Sequence, residues 1–474
     1  MADLHDLTAL EQAAAIRARE VSPVELAQHY LARSERLSDE VGAFITLTPE
    51  LALEQARAAE RAVLDATDLA DLPALHGVVV PVKDLTFVAG VRCTLGSLAY
   101  DIVPLSDDNV VARLKQSNVV ITGKTNTPEF GLPCYTENAV APSARNPWDL
   151  AHSAGGSSGG AAAAVSAGLA PVAHGSDGGG SIRIPASVCG LVGIKPSRGR
   201  ISNGPLRDPV GDLVTSGPLA RTVGDAAALL DAMCGSFPGD PYSAAPLPTG
   251  ETFLAHASRE PGRLRIGRYL TPPVAHSDVH PDCVAACDHA STLLESLGHT
   301  VEEVAPPFTP DVVVHFETLW SVLALLTPVM PADEARLQPL TRWLRERGTR
   351  VSGIELAGAV SMLRLIARAA VSATAHLDAV LTPTLAQPPV PVGGLRDDGD
   401  PAADFEAQKR FTPFTAAYNM TGQPAVSIPL HWNVNGLPIG VQLVGRQGDE
   451  ATLIALAAQL ERAEPWAHRR PAMW

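Results

Sequence analysis

Between Gly155 and Ala186 the chain carries two glycine–serine rows, GGSSGG (155–160) and GSDGGGS (175–181), separated by the alanine-rich run AAAAVSAG (161–168). Glycine loses more conformational freedom on folding than any other residue, so a row of glycines marks a place where backbone itself must come close to something. The alanine run reads as a helix small enough to pack tightly against its neighbours. In the second row, the N–H groups of Gly178, Gly179, Gly180 and Ser181 can converge on one point. A substrate carbonyl held there would have the negative charge of a tetrahedral intermediate stabilised, as in an oxyanion hole. A helix beginning at Ser181 would add its positive end. The plain alternative is a glycine-rich turn capped by serine.

Lys83 is the second signal. It sits in the apolar run VVVPVKDLT (78–86), where burial of an ammonium favours its neutral form. A neutral lysine can serve as a general base near pH 7; the alternative is a strand-end lysine reaching solvent. The third signal is Gly155-x-Ser157-x-Gly159, which formally matches the nucleophile elbow of α/β-hydrolases. It supplies a rival in which Ser157 attacks, with an Asp and a His further on. His174, His280, His289, His299 and His315 follow it, none in an informative context. Two other patterns are set aside. In HPDCVAACDH (280–289) the cysteines Cys283 and Cys287 share a helical stripe with Ala290, Leu294 and Leu297, which reads as core rather than as a metal site. Gly123-Lys124-Thr125 resembles the end of a phosphate loop, but the position five before Gly123 is Asn118, where that loop needs glycine.

The chain has 474 residues, 46% of them apolar and 18% charged, with a net charge of −15. This is a globular composition. The acidic balance argues against nucleic-acid binding, which needs a basic surface. Six cysteines are too few for a disulfide framework at this length. The start MADLHDLTALEQ lacks a basic, then apolar, leader, and TLWSVLALLTPVMPA (318–332) is too short to span a bilayer. These features predict a soluble, reduced, cytoplasmic protein.

The first 60 residues read as helical, with a capping box and proline at the first helical position in Ser22-Pro23-Val24-Glu25. Strands are expected within 76–88 and 118–122, with a helix between them over 108–116. The segment 235–249 is the best linker candidate, 282–376 reads as helical, and 383–402 as an exposed loop. Strands return at 424–429 and 437–444, followed by a helix over 450–463. Strands alternating with helices predict an α/β layered fold. One domain over 1–474 is expected: N-terminal helices (1–70), a glycine-rich core (71–235), a helical pocket or lid region (about 250–376), and a return to the sheet (377–474).

PVKD (81–84), GGSSGG and GSDGGGSIRIPASVCGLVGIKP (175–196) occur in the order seen in the amidase signature family, with Ser157 and Ser181 at the family's separation. GKTNTPEF (123–130), ARNPWDL (144–150), VLTPT (380–384) and NMTGQPAVSIPL (419–430) extend the resemblance over most of the chain. It is closest to the branch that includes the 6-aminohexanoate cyclic dimer hydrolases. The resemblance implies a large mixed, mostly parallel twisted sheet covered by helices on both faces. It also implies a Ser–cis-Ser–Lys triad: Ser181 as nucleophile, Ser157 after a cis bond from Gly156 as relay, and Lys83 as base. Gly178, Gly179, Gly180 and Ser181 would form the oxyanion hole. Ser158, Asp177 and Arg183 would support the loop, and Gly131 would present its carbonyl to substrate. The chain departs from the family's usual Thr-Asp-Thr or Thr-Asp-Ile, carrying Ser176-Asp177-Gly178 instead. That implies a wider or floppier hole.

A bulky apolar or aryl amide is the expected substrate, with carbamates and esters also within reach of the triad. Some of Phe308, Phe316, Trp320, Leu323, Leu326, Met330, Trp343 and Met362 would line its pocket. A glutaminase-type amidotransferase subunit is the alternative, on the loop Tyr135-Thr-Glu-Asn138. No metal or organic cofactor is implied, and the chain would act as a monomer or homodimer on a small molecule.

Overall fold

A computed structural model describes residues 3–205, 210–308 and 311–474. Thirteen strands run along it: β1 (Phe44–Leu47), β2 (Val82–Lys83), β3 (Gly123–Thr125), β4 (Arg145–Asn146), β5 (Asp149–Ser153), β6 (Val172–Asp177), β7 (Val192–Lys195), β8 (Thr215–Ala220), β9 (Arg265–Arg268), β10 (Thr300–Glu303), β11 (Ala379–Pro383), β12 (Ala425–Trp432) and β13 (Pro438–Gly445). Eleven form one sheet in the order β1-β3-β2-β6-β8-β7-β12-β13-β11-β9-β10, while β4 and β5 form a separate hairpin. The expected mixed sheet is therefore present. Parallel pairs join β3, β2 and β6 on one side and β11, β9 and β10 on the other. The strands between β6 and β11 pair antiparallel.

Adjacent strand residues point to opposite faces, which separates the two apolar layers. In β8, Leu219 enters the cluster built with the helices Gly159–Ser166 and Arg183–Cys189, while Ala220 enters the cluster built with Val223–Met233, Pro281–Ser296 and Glu450–Ala463. Helices thus cover both faces. A third cluster packs the helices Val312–Leu326, Pro339–Thr349, Gly353–Ala373 and Pro401–Phe411 over one end of the sheet. The alanine helix explains its own composition. Ala161 to Ala164 are fully buried, and a Cβ on Gly160 would lie 2.3 Å from the Asn126 backbone nitrogen.

Several boundaries differ from expectation. Ser22 caps the helix Pro23–Val41 through the Val24 N–H, and its own hydroxyl donates to Glu60, so no capping box closes. The pairing expected over 118–122 shifts to Gly123–Thr125, preceded by a single bridge from Val120 to Val79. Within the helical half lie β9 and β10; their four-residue length and exposed charges give little periodic signal. Cys283 and Cys287 face the core as expected, and His289 bonds Glu464. Among the described residues no helix is long and apolar enough to cross a membrane.

Candidate active site

Three neighbouring elements bring the predicted residues together. β2 ends on Lys83, next to β6, whose last residues are Ser176 and Asp177. The loop before the alanine helix supplies Ser157 and Ser158, and the glycine row after β6 leads to Ser181.

Lys83 is fully buried, and its Nζ donates to Ser157 Oγ at 2.8 Å, to Ser176 Oγ at 3.1 Å and to the Ser176 carbonyl at 3.3 Å. None of these partners is a carboxylate, so burial lowers the lysine from 10.5 to about 7, opposed only in part by the charge of Asp177. Its neighbours handle charge differently. Asp84 Oδ1 accepts from Lys124 Nζ at 2.8 Å in a fully buried pair, and Asp84 Oδ2 accepts from the Thr94 N–H and hydroxyl. Lys124, in the GKT segment set aside above, thus belongs to a strand and neutralises Asp84. His174 Nδ1 accepts the Lys83 backbone N–H at 3.4 Å, and its Nε2 faces Ser216 Oγ at 3.1 Å. Burial, then the nearby Lys83 and Lys124, lower His174 to about 3.

Ser157 follows a cis peptide bond from Gly156. Gly131, at φ +70°, lies against it: a Cβ there would sit 3.3 Å from Ser157 Oγ and 2.5 Å from Leu85 Cδ1. The Ser158 hydroxyl donates to the Ser176 carbonyl and accepts the Ser176 N–H, while the Ser158 N–H donates to the Ser181 carbonyl. This pins the two glycine rows together. Ser181 opens into a small apolar cavity between Gly179, Ile184, Val313, Phe316 and Trp320. Its hydroxyl makes no hydrogen bond to another described residue, and no histidine bonds Ser157 or Ser181. The following helix starts at Arg183 rather than at Ser181.

The glycine row is held from below by a buried ion pair. Arg183 Nε and Nη2 bond both oxygens of Asp177 at 2.9 Å. The same guanidinium reaches the Thr415 carbonyl, Gln442 and Asn419. Asp177 is held well below the usual carboxylate range; burial alone would raise it, but Arg183, Lys195 and the Asn419 amide outweigh that. One expectation is corrected here. The Gly180 N–H donates to Asp177 Oδ1 at 2.8 Å, so it is turned into the loop and cannot serve an oxyanion. The N–H groups of Gly178, Gly179 and Ser181 have no such side-chain partner among the described residues.

Sequence reading missed the part played by Thr415 and Asn419. Thr415 Oγ1 donates to the Gly179 carbonyl at 2.7 Å, and Asn419 Nδ2 donates to both the carbonyl and the carboxylate of Asp177. For Asn419 the available signal was its place at the head of NMTGQP (419–424), before a strand; Thr415 lies outside that segment. The polar groups of the 135–138 loop face inward: Tyr135 donates to Asp404, Glu137 accepts from the Gly393 N–H, and Asn138 donates to Asn126. Of the apolar candidates, Phe316 and Trp320 stack over Ser181's cavity with ring centroids 5.2 Å apart. Leu323 and Leu326 line a separate, larger cavity. Phe308 packs edge-on to Tyr418 in the core and Trp343 against Phe405, while Met330 and Met362 are exposed.

Residues 25–454 match the family model described as Amidase. The chain is 40% identical over 452 residues to "Putative amidase AmiB2" of Mycobacterium tuberculosis, covering 94% of each chain. It is 36% identical to the "6-aminohexanoate-cyclic-dimer hydrolase" of Paenarthrobacter ureafaciens, covering 98% of this chain and 96% of that one. A solved structure of 6-aminohexanoate cyclic dimer hydrolase superposes with a TM-score of 0.91 at 34% identity, with all of both chains covered. A bacterial aryl acylamidase superposes with a TM-score of 0.86 at 26% identity, covering 98% and 97%. The chain belongs to the amidase signature family and is an amide C–N hydrolase.

Proposed function

We propose that the chain hydrolyses a bulky apolar or aryl amide through a Ser181–Ser157–Lys83 triad and an acyl-enzyme. The observation that carries this reading is the fully buried Lys83 Nζ, bonded to Ser157 Oγ at 2.8 Å and lowered to about 7 with no carboxylate beside it. At neutral pH a large fraction of such a lysine is free base. Ser181 Oγ attacks the carbonyl carbon as its proton passes to Ser157, whose own proton passes to Lys83. Negative charge collects on the carbonyl oxygen, facing the N–H groups of Gly178, Gly179 and Ser181. On collapse the C–N bond breaks, and the proton held by Lys83 returns through Ser157 to the leaving nitrogen. Water then repeats the sequence on the ester, releasing the acid and regenerating the Ser181 hydroxyl.

Ser158, Asp177 and Arg183 act as positioning residues for the two glycine rows, and Gly131 offers its carbonyl beside Ser157. Esters and urethanes present the same carbonyl to Ser181; a urethane that loses its alcohol leaves a carbamoyl-enzyme. A panel of aryl amides, aryl esters and urethanes tests the reading. Wild type turns over aryl amides, and Lys83→Ala loses roughly 10²–10⁴-fold, the range of a general base. Undiminished turnover of every substrate by Lys83→Ala would overturn it.

A further inference from the structure

Two cavities of unequal size flank the proposed triad. The one at Ser181, between Gly179, Ile184, Val313, Phe316 and Trp320, measures ≈ 70 Å³. That is room for roughly five to seven waters at about 10–15 Å³ each. The other measures ≈ 430 Å³, within the usual range of small-molecule sites, and is lined by Leu85, Phe130, Ser176, Val214, Leu323 and Leu326. The helix Val312–Leu326 runs over both, with Phe316 and Trp320 above the small cavity and Leu323 and Leu326 above the large one.

Two glycines mark the divide. A Cβ on Gly178 would meet Trp320 Cη2 at 3.5 Å and Val214 Cγ2 at 3.1 Å, one atom from the wall of each cavity. A Cβ on Gly131 would meet Leu85 of the large cavity and the Ser157 hydroxyl. The large cavity also reaches Ser176, whose hydroxyl accepts from Lys83 Nζ.

Resting on the triad reading above, we propose that these cavities divide the substrate at the scissile bond. The leaving nitrogen takes its proton from Ser157, so the amine must lie on the Ser157 side, where Leu85 and Ser176 open to the large cavity. The acyl group stays on Ser181, in the small cavity under Phe316 and Trp320. The preferred substrates are therefore short acyl groups on a bulky apolar or aromatic amine, and the bulk predicted from the sequence belongs to the amine half.

Two substrate series test this on the full-length protein. One keeps 4-nitroaniline and lengthens the acyl group from acetyl to octanoyl; the other keeps acetyl and enlarges the amine from ammonia through aniline to 2-naphthylamine. The expected kcat/KM falls about tenfold or more along the acyl series and holds or rises along the amine series, the scale by which pocket fit discriminates. Trp320→Ala is expected to recover most of the loss with octanoyl. Leu323→Trp is expected to lose about tenfold on the naphthylamide, with an unchanged urea midpoint showing that the variant is folded. A preference for long acyl groups with naphthylamides rejected, or no size dependence in either series, would overturn the division. Full turnover of both series by Ser181→Ala would instead overturn the triad reading on which it rests.

Discussion

Replacing Lys83 by methionine is expected to stabilise the fold at neutral pH while lowering turnover by the roughly 10²–10⁴-fold of a lost general base, and the pH dependence of that gain reports the desolvated amine. Burial lowers Lys83 from 10.5 to about 7. Because the folded value lies below the unfolded one, the unfolded chain takes up the proton first as the pH falls. The penalty for burying the lysine is therefore absent above the unfolded value, grows through the window from there down to about 7, and is constant below it. At ~1.4 kcal/mol per pKa unit the penalty reaches ~4 kcal/mol at pH 7. Methionine removes it but also removes the three bonds to Ser157 Oγ, Ser176 Oγ and the Ser176 carbonyl, at ~1 kcal/mol each. The net gain is then ~1 kcal/mol at neutral pH, shrinking to nothing about one unit higher and turning into a loss beyond. Urea unfolding of wild type and variant across that range measures the difference, and the other titrating groups largely cancel between the two proteins. A stability difference that does not change with pH would mean that the native amine is not desolvated, and the argument for Lys83 as a base would fail.

The kcat/KM for an aryl amide should rise with pH through about 7 as Lys83 loses its proton, then level off; an acid limb well below that value would assign it to another group. Asp177→Asn leaves Arg183 buried without its carboxylate and should cost ~3–5 kcal/mol, the scale for breaking a buried ion pair, read as a lower urea midpoint. Lys124→Met strands the buried Asp84 carboxylate and should destabilise on the same ~3–5 kcal/mol scale, again read by urea unfolding, whereas Lys83→Met should not. Gly180→Ala places a Cβ 2.3 Å from Thr415 Oγ1 at φ +132°, so the loop must shift and turnover should drop; Thr415→Ser, which keeps the hydroxyl, should retain it.

Much of the site was legible because its chemistry demands unusual residues at local spacing. Glycine rows, a lysine within an apolar strand and an alanine-rich helix have few other uses, and the structure buries Lys83 and packs the alanine helix tightly against its neighbours. What the sequence could not supply was the partner of each backbone N–H. That of Gly180 turns to Asp177 rather than to the substrate, a choice set by the neighbouring Arg183 together with Thr415 and Asn419 from a distant part of the chain. The short strands β9 and β10 at one end of the sheet were invisible for a related reason. Four residues with exposed charges acquire strand geometry only from the neighbours they pair with. The division of the large and small cavities likewise depends on which face of one helix meets which loop, and sequence spacing alone does not determine that.

Labelling the protein with a fluorophosphonate, followed by intact mass and peptide mapping, asks whether Ser181 attacks and Lys83 drives the attack. A single adduct on Ser181, lost in Lys83→Ala, is the expected result. An adduct on Ser157, or one on Ser181 that forms equally well without Lys83, would contradict it.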